Sequence, residues 1–278
     1  MNGVHWPGLH IGLITFKIKE ITFLELVPIV LGIHIWAEQL KSKKLLLHID
    51  NLALVHVINK KSSKSKNVMV LLRALVLHTL RFNIQTVWII GSSIVHWAQQ
   101  YAENTNQLDL GLKQFAIIWK GKRGMVWENL SSVVARMSKS HIPPSILILH
   151  CGGNNIGDPQ NTLKGIQKFM KRTLAQLGQD LPNTLIVWSH ILPRGNWRKS
   201  LSNFEGEKAK KRINSAIATF VLNQLHGASI KYPDIQVSYK RLFRIDRVHL
   251  SDLGNSVLIN TWKNAIVQFV TTSTRTYP

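Results

Sequence analysis

Thr86-Val87-Trp88-Ile89-Ile90-Gly91-Ser92-Ser93 (TVWIIGSS) opens the part of the chain that decides the fold. An apolar run closed by glycine and followed by serines reads as a strand covered on both faces that turns directly into a helix. Similar runs recur at Phe115–Trp119 (FAIIW), Ser145–His150 (SILILH), Thr184–Ser189 (TLIVWS) and Ile235–Ser238 (IQVS). Helix-period stretches separate them, near 94–103, 127–139, 161–177 and 206–225. A last one, from Asp252 to Val267, places Leu253, Val257, Leu258, Trp262 and Ile266 on one stripe. Strands alternating with helices predict an α/β protein: a three-layer α/β/α domain on a five-stranded, doubly wound parallel sheet. In such sheets ligands bind beyond the carboxyl ends of the strands, so the residues that follow each strand are the candidates for function.

Upstream of Thr86 the pattern changes. Helices are expected near 22–40, 52–60 and 67–81, with a single strand at Lys44–Ile49 (KLLLHI) and a basic link at Lys60–Lys66 (KKSSKSK). One strand has no pairing partner within this segment, so it does not form a self-sufficient sheet domain. The expected organisation is an unassigned segment 1–20, a mostly helical segment 21–85, the α/β domain 86–270 and a C-terminal tail 271–278.

Composition narrows the classes. The 278 residues include 35 Lys and Arg against 14 Asp and Glu, a formal charge of +21, and 45% are hydrophobic. That apolar content excludes a disordered basic tail. The excess charge is distributed, with 11 basic and 4 acidic residues up to position 85 and 24 and 10 after it. A single cysteine, Cys151, excludes an internal disulfide and favours an intracellular setting, cytoplasmic or nuclear. Ile21–Leu40 is the most apolar stretch, yet it contains Glu25, Pro28, His34 and Glu38, so no membrane span is expected. Met1–Phe16 lacks the form of a signal peptide.

Three loops carry candidate chemistry. Gly91-Ser92-Ser93 follows the first strand, where a tight turn delivers a serine to a helix N-terminus. Cys151-Gly152-Gly153-Asn154-Asn155-Ile156-Gly157 follows the third strand and offers an amide donor in a glycine-rich loop. Asp246-Arg247-Val248-His249 precedes the last helix; a carboxylate three residues before a histidine in a turn holds one ring nitrogen and leaves the other for a serine proton. After the fourth strand, His190–Arg198 contains Arg194 and Trp197, which either shape a pocket or close the loop.

Together with Lys122-Arg123-Gly124 after strand two, this set resembles the SGNH (GDSL-like) esterase and lipase superfamily over residues 86–270. The resemblance implies a flavodoxin-like SGNH-hydrolase domain that cleaves a small ester substrate without a cofactor or metal. Ser93 is then the nucleophile, and His249 the base oriented by Asp246. The oxyanion donors are the Ser93 amide, Gly124, with Gly121 as its rival, and Asn154. Ser92 and Asn155 depart from the family pattern, since each stands where Asp is usual.

The run FLELVPIVLGIHIWAEQLKSKKLLLHIDNLALVHVINKKSSKSKNVMVLLRALVLHTLRFNI (Phe23–Ile84) resembles the ribonuclease H segment of reverse transcriptases from DIRS-type and Ngaro-type retrotransposons, elements that include members encoding an SGNH-type hydrolase. Glu25 and Asp50 match two of about four metal-clamping carboxylates, a degenerate set for which nuclease activity is not expected. The resemblance implies a chimera of retrotransposon origin, a truncated ribonuclease H-like segment followed by the hydrolase. Lys60, Lys61, Lys64 and Lys66 are the candidate contacts to nonspecific nucleic acid. The alternative function is a catalytically weak nucleic-acid-binding remnant. Oligomeric state is not encoded in any of these motifs.

Overall fold

The computed structural model describes residues 20–36, 40, 47–81, 85–160, 162–197 and 201–278, with 77–81 described by backbone alone. The chain divides near residue 83 into two compact units.

The first unit is helical: α1 (Ile21–Ile35), α2 (Leu52–Lys60) and α3 (Lys66–Arg81). Leu26, Val30 and Ile33 form the buried stripe of α1, at the spacing of one helical face, and Leu54, Val68, Leu72 and Leu75 are buried on its neighbours. The helix expected to reach residue 40 ends at Ile35. The Asn51 side chain accepts from the Ala53 and Leu54 amides (2.9 and 3.2 Å) and so starts α2. The Glu20 carboxylate accepts from the Ser65 hydroxyl at 2.7 Å, tying the chain before α1 to the start of α3. Of the strand expected at Lys44–Ile49, residues 44–46 lie outside the described residues, and Leu47, His48 and Ile49 are irregular.

The second unit is the three-layer α/β/α domain. In chain order it contains β1 (Gln85–Gly91), α4 (Ser93–Asn104), β2 (Phe115–Gly121), α5 (Leu130–Ser140), β3 (Ile146–His150), α6 (Leu163–Asp180), β4 (Leu185–Ser189), α7 (Asn203–Gln224), β5 (Ala228–Ile230), α8 (Asp252–Thr271) and β6 (Thr276–Tyr277). The strands lie in the order β2-β1-β3-β4-β5-β6 and every neighbouring pair is parallel. Side chains alternate across the sheet. Val87, Ile89, Ile146, Ile148 and Val187 face Val95 and Ala98 of α4 and Leu258, Trp262 and Ile266 of α8. Trp88, Ile90, Leu147, Leu149, Ile186 and Trp188 face α5, α6 and α7. Cover on both faces is why these strands read as continuous apolar runs.

Four expectations for this unit are corrected. The sheet has six strands rather than five. The fifth is Ala228–Ile230, not Ile235–Ser238, which lies in turns. At three residues it is too short to stand out as an apolar run. Residues 271–278 are not simply a tail: Thr276–Tyr277 adds β6, with the Ser229 and Lys231 amides donating to the Arg275 and Tyr277 carbonyls at 2.9 Å. On α8 the buried stripe is Leu258, Ile259, Trp262, Ile266 and Phe269, whereas Leu253 is exposed.

Candidate active site

The carboxyl ends of β1, β2 and β3 and the loop before α8 gather the predicted residues. β1 is the topological switch, with β2 on one side and β3 on the other. Gly91 ends it, and Ser93 is the first residue of α4. At that position the Ser93 N–H has no intrahelical acceptor. The base of the loop before α8 is closed by a bridge between Phe243 and Leu250. At its tip the Asp246 carboxylate accepts from the Val248 and His249 amides, both at 2.9 Å, while Arg247 takes a left-handed conformation (φ 55°). The turn thereby brings the ring three residues on to the other carboxylate oxygen.

Ser93, His249 and Asp246 are joined. His249 Nδ1–H donates to Asp246 Oδ2 at 2.6 Å, and the Ser93 hydroxyl donates to His249 Nε2 at 3.0 Å. An acceptor-only carboxylate imposes the tautomer with hydrogen on Nδ1, which leaves Nε2 as the acceptor. Partial burial alone would raise the Asp246 pKa. The hydrogen bonds from the His249 ring, the His249 amide and the Val248 amide, with the imidazole's charge, hold it below the ordinary carboxylate value. Ser93 is buried, and the His249 side chain is 27% exposed.

The candidate oxyanion residues differ in setting. Gly121 packs against the first turn of α4, where an added Cβ would lie 2.2 Å from the His96 nitrogen. Gly124 is exposed in the following turn at φ +71°, with open space around it. Asn154 is held from both ends of its amide: Nδ2 donates to the Met125 carbonyl at 2.9 Å and Oδ1 accepts from Arg194 Nη2 at 3.3 Å. An amide nitrogen carries two hydrogens, so one remains for a ligand.

Asn155 is buried and clamps two loops. Its Oδ1 accepts from the Trp127 amide at 2.9 Å, and its Nδ2 donates to both Glu128 oxygens at 3.1 and 2.9 Å. A carboxylate at 155 would face the Glu128 carboxylate at hydrogen-bond distance. Asn155→Asp is therefore expected to cost about 2–3 kcal/mol of stability. Adding Glu128→Gln should recover most of it, as read from denaturation midpoints of the single and double variants.

Arg194 and Trp197 are both buried, with the guanidinium carbon 5.3 Å from the indole centroid. Trp197 packs on Gly206 of α7, so it closes the loop rather than lining an open pocket. Behind the site, His150 Nδ1 is 2.8 Å from Ser189 Oγ. Ser189 also contacts the Tyr232 hydroxyl, and Trp262 Nε1 donates to that hydroxyl at 2.7 Å. His190 Nε2 is 3.0 Å from Ser229 Oγ. Burial, then the charges of Arg194 and His190, push the His150 pKa down to about 3; burial, then Lys231 and Lys210, push His190 down to about 4.

Both histidines are thus held neutral in the fold and protonate more readily in the unfolded chain. The stability this confers is present above the ordinary value of 6.5 and is lost as the pH falls from there toward 3–4. For His150 the loss by pH 5 is about 2 kcal/mol. Denaturation midpoints should fall steeply between pH 7 and 5, and less steeply in His150→Gln.

Glu25 lies on α1 and has one buried oxygen without a hydrogen-bond partner. Asp50 is exposed just before α2. No group of three or more His, Cys, Asp or Glu able to hold a metal occurs among the described residues. Lys60, Lys64 and Lys66 are exposed, whereas Lys61 is half-buried in a left-handed conformation (φ 51°), and burial lowers its pKa. No described helix is long and apolar enough to cross a membrane.

Sequence reading did not find Met125, Glu128 or the bond from Arg194 to Asn154. These residues lie 27 to 40 positions from their partners and belong to no motif.

No protein-family model and no curated protein matches the chain. Solved structures do. The psychrotrophic esterase EstA of a Pseudoalteromonas species, inhibited by monoethylphosphonate, shares 14% identity over 68% of this chain and 100% of its own, with a TM-score of 0.50. A catalytic mutant of an acetylxylan esterase from Geobacillus stearothermophilus shares 13% identity over 65% of this chain and 93% of its own (TM-score 0.49). A GDSL-like lipase from Bacteroides thetaiotaomicron shares 12% over 66% and 88% (TM-score 0.47). At such identities the likeness concerns the fold alone, a mixed α/β domain on a parallel sheet.

Proposed function

We propose that this protein is a serine ester hydrolase of the SGNH type, acting through Ser93, His249 and Asp246 without a cofactor. The observation that carries the reading is the hydrogen-bonded path from the Ser93 hydroxyl through the His249 ring to the Asp246 carboxylate. His249 Nε2 takes the hydroxyl proton as Ser93 Oγ bonds to the ester carbonyl carbon. The carbonyl oxygen becomes an anion held by the Ser93 and Gly124 amides and by Asn154 Nδ2. The protonated ring, stabilised by Asp246, gives its proton to the departing alcohol as the ester bond breaks and acyl-Ser93 forms. Water then repeats the sequence, giving up its proton to His249, and leaves the free acid and the original serine.

Labelling with a fluorophosphonate probe tests this. Covalent modification of Ser93, absent in Ser93→Ala, is the expected result. No labelling, together with salt-sensitive binding of RNA or DNA, would replace the hydrolase reading by a nucleic-acid-binding remnant. The ancestry belongs to the same proposal: Phe23–Ile84 is read as a truncated ribonuclease H-like segment of retrotransposon origin, in which Glu25 and Asp50 are residual carboxylates. That part is supported by the sequence resemblance alone.

A further inference from the structure

Two arginines stand over one indole beside the candidate nucleophile. Trp97 follows Ser93 by four residues on α4, so the two side chains share one helix face. The Arg244 guanidinium carbon lies 4.1 Å from the Trp97 ring centroid, and that of Arg123 lies 5.6 Å from it. The two come from separate loops: Arg123 immediately precedes Gly124, and Arg244 precedes Asp246 by two positions. Neither forms an ion pair among the described residues. The acids closest to them in sequence are already engaged, Asp246 by His249 and Glu128 by Asn155. Arg244 spends its Nε–H on the Leu250 carbonyl at 3.1 Å, which fixes the plane of the guanidinium.

An indole face attracts a cation but neutralises no charge, so two guanidiniums at one ring keep an uncompensated positive field. Arg244 is also only partly exposed, and a partly desolvated guanidinium with no counterion favours an anion. Guanidinium groups bind carboxylate and phosphate oxygens through paired N–H donors.

Resting on the hydrolase reading, we propose that Arg123 and Arg244 at Trp97 form an anion subsite, and that the substrate is an ester bearing a carboxylate or phosphate on one side of the scissile bond. The anion is held at the two guanidiniums while the ester carbonyl reaches Ser93, a helical turn away.

The test compares matched esters in the full chain. On the acyl side the pair is 4-nitrophenyl hydrogen glutarate and its methyl-capped neutral analogue. On the alcohol side it is 4-acetoxyphenylacetate and its methyl ester. The charged member of at least one pair is expected to have a kcat/KM about tenfold higher. That preference should shrink as NaCl is raised in the unmodified protein and approach one in the Arg123→Gln/Arg244→Gln variant. Ser93-dependent turnover with no preference in either pair overturns the anion subsite and leaves the hydrolase standing. A preference that survives in the double variant overturns the assignment to these arginines. No turnover of any of the four esters, with no fluorophosphonate labelling, overturns the hydrolase reading and this inference with it.

Discussion

Replacing Ser93 by alanine is expected to lower kcat for short 4-nitrophenyl esters by ~10⁴-fold or more, with the fold intact. Ser93 is the first residue of α4, its hydroxyl is bonded to His249 Nε2, and alanine suits that position, so thermal melting should be little changed. The chemistry changes entirely, because among the described residues no other hydroxyl is bonded to His249 Nε2. His249→Ala should cost a comparable factor, and the double variant about the same as either single one, since the two residues act as a unit. Additive losses would mean that they do not work together. The same comparison separates catalysis from structure, because a serine that merely fills space would affect melting rather than turnover.

The second large effect is expected at Asn154. Removing its amide in Asn154→Ala should lower kcat by ~10²–10³-fold while altering KM much less, as for an interaction made mainly in the transition state. Asn154→Asp is the sharper variant. A carboxylate at 154 keeps the bond to Arg194, and so keeps that side of the loop, but cannot donate to an oxyanion. It should therefore be as poor a catalyst as Asn154→Ala. If Asn154→Asp turned over esters at the original rate, Asn154 would be a loop clamp and the oxyanion would be held elsewhere. Steady-state kinetics on one ester with the three proteins decides between these outcomes.

The parts of the fold that could be read from sequence are those whose physical cause is local. A central parallel strand must be apolar on both faces, and Thr86–Gly91, Ser145–His150 and Thr184–Ser189 show it, while Phe115–Trp119, the edge strand β2, is apolar but only part-buried. The β5–β6 side of the sheet was not legible in this way. Ala228–Ile230 is a strand because it pairs with β4 and β6, and Thr276–Tyr277 because it pairs with β5; both are too short to carry a period. Leu253, expected on the apolar stripe, is exposed, since the orientation of α8 on the sheet selects its buried stripe.

For the site, three short blocks in the right order were enough to nominate Ser93, Asn154, Asp246 and His249, because the turn and helix-start chemistry around each is encoded in adjacent residues. Their nomination did not reveal what holds them. The Asn155 and Glu128 pair, the clasp of Asn154 between Met125 and Arg194, and the meeting of Arg123 and Arg244 at Trp97 all join distant loops.

The amino-acid sequence by itself determined the first four strands and the helices between them, the two-sided burial of the central strands and the residue types offered at the carboxyl edge. These follow from backbone periodicity and from glycine, serine and Asx chemistry acting over a few residues. Only the tertiary structure decided which side chains meet: Ser93 and His249, 156 positions apart, are brought together by the switch in strand order at β1 and the closed loop before α8. A hydrogen bond depends on separation in space, and that separation is set by the packing of all three layers together.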